Sequence, residues 1–232
     1  MDRPRTIPQR QPTSRTALVP AARLHGWVER FAASHGPLGE SSDDGSLLLR
    51  AADGSMLLRA ADGATALLRA PWPADGRPGR GATDLDRLAS LATQERGLGI
   101  LLVRRGGYAV AAASGSTLLA SKSGDRYVQG RTAAGGQSQQ RYARRRSNQA
   151  DALVVTAAEH AARIFADYRI EYIVPGGDRS MVEHVLAQPA LQAVARRTRL
   201  PFLDVQEPRT AALPKAATDA CCIRITVTDA PT

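Results

Sequence analysis

The stretch that decides the fold runs from Lys122 to Gln149 and reads KSGDRYVQGRTAAGGQSQQRYARRRSNQ. Its tip is Gly135-Gly136-Gln137. A glycine pair lets the backbone adopt positive φ and approach a ligand closely, and the glutamine amide can donate and accept hydrogen bonds. The stretch also carries seven cations that can bind phosphate: Lys122, Arg126, Arg131, Arg141, Arg144, Arg145 and Arg146. Such a tip suits placement against an RNA end better than acid–base work on a small molecule.

The flanks of this stretch predict a sheet before the loop and a helix after it. Short apolar runs separated by glycine turns predict strands over 99–104, 108–113 and 117–121, and residues 126–129 could extend the last of them. From 139 to 167 the apolar residues recur at three- and four-residue spacing, which predicts one long helix with a basic, polar first half. The first half is expected to project from the core and carry the loop outward.

The residues after this helix predict a strand–helix–strand unit with parallel pairing. The expected elements are a buried strand over 171–175, helices over 180–186 and 189–197, a strand over 200–205 and an edge strand over 222–228. The turn Gly176-Gly177-Asp178-Arg179 follows the first strand but lacks the full dinucleotide fingerprint, so a structural turn is the favoured interpretation.

The N-terminal third predicts an arm, a helix and a meander. Residues 1–19 hold three prolines and four arginines and predict a disordered basic arm. Residues 20–35 predict a helix, and the near-repeat over 46–70 predicts three short strands, because Asp53-Gly54 and Asp62-Gly63 are favoured hairpin turns. After a loop, residues 84–96 predict a second helix, which Gly97 is expected to end. The chain is therefore predicted to be an α/β protein with three parts: 1–19, 20–80 and 81–232.

Composition narrows the class of partner. The 232 residues carry a net charge of +9, a balance that favours polyanions, most often nucleic acid. Aromatic residues make up only 4%, which argues against a platform that stacks the bases of single strands. Binding to phosphate and sugar with little sequence readout is expected instead. The chain shows neither a signal region nor an apolar run of membrane-spanning length, so a cytoplasmic location is expected.

Several kinds of chemistry can be set aside from the sequence. The chain has no Walker-type Gly-Lys-Ser/Thr, HExxH, GxSxG or CxxC motif. The adjacent Cys221 and Cys222 are interpreted as strand residues of a reducing compartment, and the four scattered histidines lack ligand spacing. Neither a metal nor a cofactor is expected, and an enzyme with its own nucleophile is disfavoured. The residues alone leave two interpretations of the loop open: a catalytic tip, or a flexible basic loop that binds RNA nonspecifically.

The string RYVQGRTAAGGQSQQRYARRRSNQA resembles the loop and helix of the Vms-type release factors, the VLRF family, in its actinobacterial branch. LLVRRGGYAV, LLASKSGDRYVQGRT and IVPGGDR also resemble family segments, so the resemblance covers roughly residues 71–209. This family is related to the central domain of archaeal and eukaryotic class-one release factors. The resemblance therefore implies a release-factor central-domain-like fold, a mixed sheet with flanking helices and a Gly-Gly-Gln loop.

The resemblance also implies an activity: hydrolysis of peptidyl-tRNA on the large ribosomal subunit, freeing nascent chains in ribosome-associated quality control. Gly135 and Gly136 would let the tip enter the peptidyl-transferase centre, and Gln137 would place the attacking water at the ester. Gln139 and Gln140 are rival candidates for the essential glutamine. The implied partners are the large ribosomal subunit, peptidyl-tRNA and ribosomal RNA. A non-catalytic ribosome- or RNA-binding module and a nuclease acting at the tRNA acceptor end are the alternatives.

Overall fold

A computed structural model describes residues 13–38, 49–50, 55–125 and 137–230 of the chain. The chain divides into two compact units. The N-terminal unit comprises residues 1–93 together with 221–232, and the central unit comprises residues 94–220. This division differs from the predicted parts, because the last strand and the helix that begins at Asp84 both belong to the N-terminal unit rather than to a single 81–232 domain.

The N-terminal unit contains a five-stranded antiparallel sheet. Its strands are β1 (Ser14–Val19), β2 (Leu49–Arg50), β3 (Met56–Arg59), β4 (Thr65–Arg69) and β10 (Ile223–Thr228). Their order is β1-β10-β4-β3-β2. The predicted three-strand meander is confirmed as β2-β3-β4, and the Asp62-Gly63 turn joins its last two strands with Gly63 at φ 91°. The Asp53-Gly54 turn lies outside the described residues.

Three predictions for this sheet are wrong. Residues 14–19 were assigned to a disordered arm, but they form β1, because their backbone pairs with β10 along all six residues; residues 1–12 lie outside the described residues. The C-terminal strand was expected at an edge, but β10 lies between β1 and β4. Cys221 and Cys222 precede that strand rather than belonging to it. A partner about 200 residues away in the chain leaves no local signal in the sequence.

One face of this sheet is covered by two helices, α1 (Leu24–His35) and α2 (Asp84–Ala92). The predicted helix over 20–35 is confirmed, with a 3-10 turn at Ala21–Arg23 before α1. Helix α2 is shorter than predicted: it ends at Ala92, and Gly97 begins a strand instead of stopping a helix. Buried side chains fill the space between the helices and the sheet: Leu24, Phe31, Leu58, Ala66, Leu68, Leu88, Ile223 and Ile225.

The central unit contains a second five-stranded sheet. Its strands are β5 (Gly97–Arg104), β6 (Gly107–Ser114), β7 (Thr117–Asp125), β8 (Tyr172–Gly177) and β9 (Thr198–Arg199). Their order is β7-β6-β5-β8-β9; the first three strands form the predicted antiparallel meander, and β8 pairs in parallel with β5 and β9. The strand expected over 200–205 is wrong: the strand is β9, and Leu203 makes only an isolated bridge to Gly176. Pro201 lacks the N–H that a ladder needs.

Helices complete the central unit. They are α3 (Gln137–Ala166), α4 (Arg179–Leu186), α5 (Gln192–Ala195) and α6 (Leu213–Ala220), with 3-10 turns at Pro189–Leu191 and Thr210–Ala212. The long helix was predicted and is confirmed as α3, whereas α6 was not predicted. Helix α3 packs on β6, and among its residues 149–166 the buried ones fall between Leu153 and Phe165. The described chain is thus a mixed α/β protein, as predicted. None of the described helices combines the length and apolar character needed to cross a bilayer.

Candidate functional site

The predicted catalytic tip falls between two described elements. Strand β7 ends at Asp125 and helix α3 begins at Gln137. Arg126, Arg131, Gly135 and Gly136 lie outside the described residues. The structure therefore defines the elements at both ends of the loop.

Gln137 is the first residue of α3. The first four N–H groups of an α-helix have no intrahelical acceptor, and the helix dipole adds positive potential at this end. The backbone N–H of Gln137 is one of these four groups. With a rise of about 1.5 Å per residue, Gln137 lies about 24 Å along the axis from the buried Leu153.

The cations predicted to bind RNA fall on both sides of the tip. Lys122 is an exposed residue of β7, opposite Val110 of β6. Arg141, Arg144, Arg145 and Arg146 all belong to α3, within its first three turns. Residues three and four apart share one side of a helix, so the positions 141, 144 and 145 occupy one side of α3. Helix formation thus puts positions that lie up to four residues apart in the sequence on one side of α3.

A hydrogen bond fastens α3 to the sheet. The Oη atom of Tyr108 in β6 lies 2.6 Å from Nδ1 of His160 in α3, and the two rings stack with centroids 5.7 Å apart. Burial raises the pKa of the Tyr108 phenol, so the hydroxyl keeps its proton and remains available for this hydrogen bond. The four histidines lack metal-ligand spacing in the sequence, and this contact accounts for His160 as a packed residue.

Tyr108 also contacts the strand that leads into the loop. It lies opposite Gly124 of β7 in the antiparallel register. A Cβ atom at Gly124 would lie 2.8 Å from Cε1 and Oη of the tyrosine, so only glycine leaves room for the ring. Both elements that flank the tip, the end of β7 and helix α3, therefore rest on the same side chain. No sequence signal singled out Tyr108, because its partners lie 16 and 52 residues away.

A cleft of about 410 Å³ opens where β7 ends. It is lined by the β5–β6 turn, the N-cap of α4 and residues 206–209, together with Asp125. Its charged lining is balanced and consists of Arg104, Arg105, Arg209, Asp125, Asp178 and Glu207. Several of these groups are engaged: Arg104 Nε donates to the Val205 carbonyl at 2.7 Å, and Asp178 accepts the Met181 N–H at 3.1 Å. Among the lining residues that the structure describes, the ionisable groups are these arginines and carboxylates.

The contacts of Asp178 also confirm the favoured interpretation of the Gly-Gly-Asp-Arg turn. Asp178 is the N-cap of α4, and its backbone N–H donates to the Val103 carbonyl at 2.8 Å. Gly177 has φ 97°, and a Cβ atom there would lie 2.3 Å from the Val103 oxygen. The turn is thus structural: it ends β8 and starts a helix.

Two other histidines pair with carboxylates in the N-terminal unit. His25 Nε2 lies 3.0 Å from Asp86, and His35 Nδ1 lies 2.9 Å from Asp62. The Ala64 N–H, followed by His35, lowers the pKa of Asp62, and the Thr83 hydroxyl lowers the pKa of Asp86. Within the residues that the structure describes, no group of three His, Cys, Asp or Glu side chains could hold a metal ion.

The chain was compared with curated proteins and with protein-family models. No curated protein matches the chain. The family model described as the Actinobacteria/chloroflexi VLRF1 release factor matches residues 96–226, which is more than half of the 232 residues and spans β5 through most of β10. The matched region includes Gly135-Gly136-Gln137, α3 and the cleft-lining residues. The chain therefore belongs to this VLRF-type release-factor family, and a release-factor-like role in contact with the ribosome follows from that membership.

Proposed function

We propose that the protein is a cytoplasmic, ribosome-dependent peptidyl-tRNA hydrolase that frees nascent chains from stalled large subunits in ribosome-associated quality control. One observation carries the proposal: Gly135-Gly136-Gln137 lies inside the matched release-factor region and ends at the first residue of a 30-residue helix. The proposed partners are the large subunit, its ribosomal RNA and peptidyl-tRNA.

The position of Gln137 supports a role at the ester. In the proposed reaction, water attacks the carbonyl carbon that joins the peptide to the terminal ribose, and the carbon–oxygen bond to the ribose breaks. The released ribose oxygen takes up a proton, and the peptide leaves as a carboxylic acid. The Gln137 N–H, without an intrahelical acceptor, could donate to the oxygen that gains negative charge, while the side-chain amide would orient the water.

Positioning supplies most of the proposed catalysis. A water molecule held next to the ester reacts as part of one complex, which removes much of the entropic barrier. Ribosomal RNA and the tRNA hydroxyl would complete the site.

The cations around the tip would hold the acceptor end and ribosomal RNA by their phosphates. Lys122 lies on β7, which precedes the loop, and the arginines lie on α3, which follows it. Arginine binds phosphate through paired N–H donors and keeps its charge at all physiological pH values. Arg126 and Arg131 are included in this proposal on their sequence position.

The test uses purified large subunits that carry a labelled peptidyl-tRNA. Wild-type protein should release free peptide and intact tRNA, and Gln137→Ala should lower the release rate at least 100-fold, in the range seen when an oxyanion donor or a positioning group is lost. Gln139→Ala and Gln140→Ala are matched controls that remove an amide from the same helix turn, and they should keep near-wild-type rates.

Other outcomes favour the alternatives. Wild-type binding to the subunits without peptide release would leave only a ribosome- or RNA-binding module. A shortened tRNA would indicate a nuclease acting at the acceptor end. Loss of release in Gln139→Ala or Gln140→Ala, with Gln137→Ala active, would move the essential amide to that residue.

The phosphate contacts are tested separately by salt dependence. Arg144→Glu with Arg145→Glu should weaken subunit binding and lower the slope of log affinity against log salt by about 1 to 2. The control Arg163→Glu with Arg196→Glu makes the same charge change at exposed positions of the central unit. An unchanged slope in the first variant would contradict contact between this part of α3 and phosphate.

A further inference from the structure

The sheet of the N-terminal unit has one face that its helices do not cover. Alternate residues of each strand point to opposite faces, and the helix-covered face carries the buried residues Met56, Leu58, Ala66, Leu68, Ile223, Ile225 and Val227. The residues between them form the opposite face, here called the arginine face. Its described members are Ser14, Thr16, Leu18, Leu57, Arg59, Thr65, Leu67, Arg69, Arg224, Thr226 and Thr228.

The arginine face carries cations and no anions. Among its described residues are three arginines but no aspartate or glutamate. Arg59 and Arg69 are exposed and Arg224 is half-buried. The structure gives none of the three an ion pair or hydrogen bond within the described part of the chain, although arginines elsewhere in the unit do pair, such as Arg87 with Asp84 at 2.7 Å.

Two of these arginines face each other directly. Arg224 of β10 and Arg69 of β4 are partners in the antiparallel register. Residues in this relation have Cβ atoms about 4.5–5.5 Å apart, and like charges placed there destabilise a sheet. A ligand that supplies negative charge between them would remove this repulsion. The opposed pair is thus an independent sign that the face meets an anion.

The layout fits an extended polyanion better than a single small one. Arg59 of β3 pairs with Thr65 of β4, which pairs in turn with Thr228 of β10. Thr65 lies four residues before Arg69 along β4. At about 3.4 Å per residue, this spacing separates the two ends of the face by about 14 Å. Between them, four threonines and a serine offer hydroxyl donors, a common means of contacting phosphate oxygens and sugars. Because no aromatic residue belongs to the face, base stacking is not available there.

We propose that the arginine face is a second RNA-binding surface, which takes the phosphodiester backbone of RNA without reading its sequence. It belongs to the N-terminal unit, whereas the loop and α3 belong to the central unit, and two of its three arginines, Arg59 and Arg69, lie outside the residues that match the release-factor family. Ribosomal RNA is the RNA class that a release factor meets, so this surface would add ribosome affinity without taking part in ester hydrolysis.

The experiment measures binding of the full chain to a fluorescein-labelled 20-nucleotide poly(U) RNA by anisotropy, between 50 and 200 mM salt. The variant Arg59→Gln/Arg69→Gln/Arg224→Gln removes three positive charges. At about 0.7 per neutralised phosphate of a single strand, the slope of log affinity against log salt should fall by about 2. Across this fourfold range of salt, wild-type affinity should then drop about 16-fold more than the affinity of the variant.

The matched control removes three exposed arginines of the same unit that lie elsewhere: Arg23→Gln/Arg30→Gln/Arg80→Gln. It has the same net charge as the test variant and should keep the wild-type slope to within about 0.5. Equal effects of the two triple variants would show only a general charge effect and would overturn the proposal.

A second variant separates binding from folding. Arg224→Glu places a carboxylate opposite Arg69, so it should keep or raise the unfolding temperature while weakening RNA binding. Unchanged RNA binding in this variant would overturn the proposal. The proposal would also be overturned if the triple variant lost binding to vesicles of phosphatidylserine and phosphatidylcholine while it bound RNA like wild type. Gln137→Ala should bind poly(U) like wild type, so a failure of the proposed hydrolysis and a failure of this surface are told apart.

Discussion

The hydrogen bond between Tyr108 and His160 can be removed with little other change, because Tyr108→Phe keeps the ring that stacks on the imidazole and touches Gly124. A neutral hydrogen bond contributes about 0.5–1.5 kcal/mol to stability. The tyrosine is only 5% exposed, so water can replace the lost partner of His160 only in part. We therefore expect a loss of about 1 kcal/mol, or about 2–4 °C in a chain of this size.

The assay is equilibrium unfolding in urea, followed by circular dichroism at 222 nm, a signal to which the 30-residue α3 contributes strongly. Tyr168→Phe is the matched control: it removes a phenol hydroxyl from the same unit, from a half-buried tyrosine with no hydrogen-bond partner within the described part of the chain. It should change stability by less than about 0.5 kcal/mol. In a double-mutant cycle, Tyr108→Phe and His160→Leu should show a coupling energy of about 1 kcal/mol.

The same variant bears on the proposed activity. Tyr108 contacts both β7 and α3, and Tyr108→Phe removes its hydrogen bond to the helix. This variant should therefore reduce peptide release more than Tyr168→Phe does. The reasoning would be refuted if Tyr108→Phe and Tyr168→Phe unfolded at the same urea concentration, or if the cycle gave a coupling energy near zero. Either result would mean that the hydroxyl does not hold α3 to the sheet.

Three further outcomes are expected. Gly124→Ala should cost about 1–3 kcal/mol by overpacking against the tyrosine ring, whereas Gly106→Ala, whose Cβ would have no neighbour within 4 Å, should be nearly neutral in the same urea assay. Thr83→Ala should destabilise the chain by about 1 kcal/mol at pH 7, because it removes an N-cap and its capping box. The pKa of Asp86 is lowered in the fold, so the stability from its ionised form is present above about pH 4 and is lost as the pH falls further; the difference between Thr83→Ala and wild type should therefore shrink at pH 3. Burial raises the pKa of the Cys221 thiol to about 12, so iodoacetamide should modify it slowly at pH 8 in the native protein and rapidly in urea; equal rates would contradict its burial.

Local patterns in the sequence predicted many of the elements. The three-strand meander before the loop, the long helix after it and the N-terminal helix all have apolar spacing that only one kind of element can bury, and the structure confirms each of them. The resemblance around Gly135-Gly136-Gln137 likewise identified the family that the wider match supports. The roles of these three residues, and of the surrounding cations, remain predictions.

The errors have two physical causes: one is pairing with a distant strand, and the other is a local signal that was outweighed. Residues 14–19 look like a polar arm until β10 supplies backbone acceptors and donors for them. The strand expected over 200–205 failed because Pro201 interrupts the ladder, a local signal that the alternation of apolar residues outweighed.

The sequence by itself determined which residues surround the tip, since the Gly135-Gly136-Gln137 triplet and seven cations within 25 residues are local features, and the resemblance of this stretch indicated the family. Tertiary structure alone decided how that stretch is supported. Tyr108, Gly124 and His160 meet only when β6, β7 and α3 pack, and Arg69 meets Arg224 only when β10 pairs with β4. Those contacts join residues that lie 16 to 155 positions apart in the chain. Bringing such residues together costs conformational entropy, which burial of the whole sheet offsets, so a short segment of sequence does not reveal these contacts.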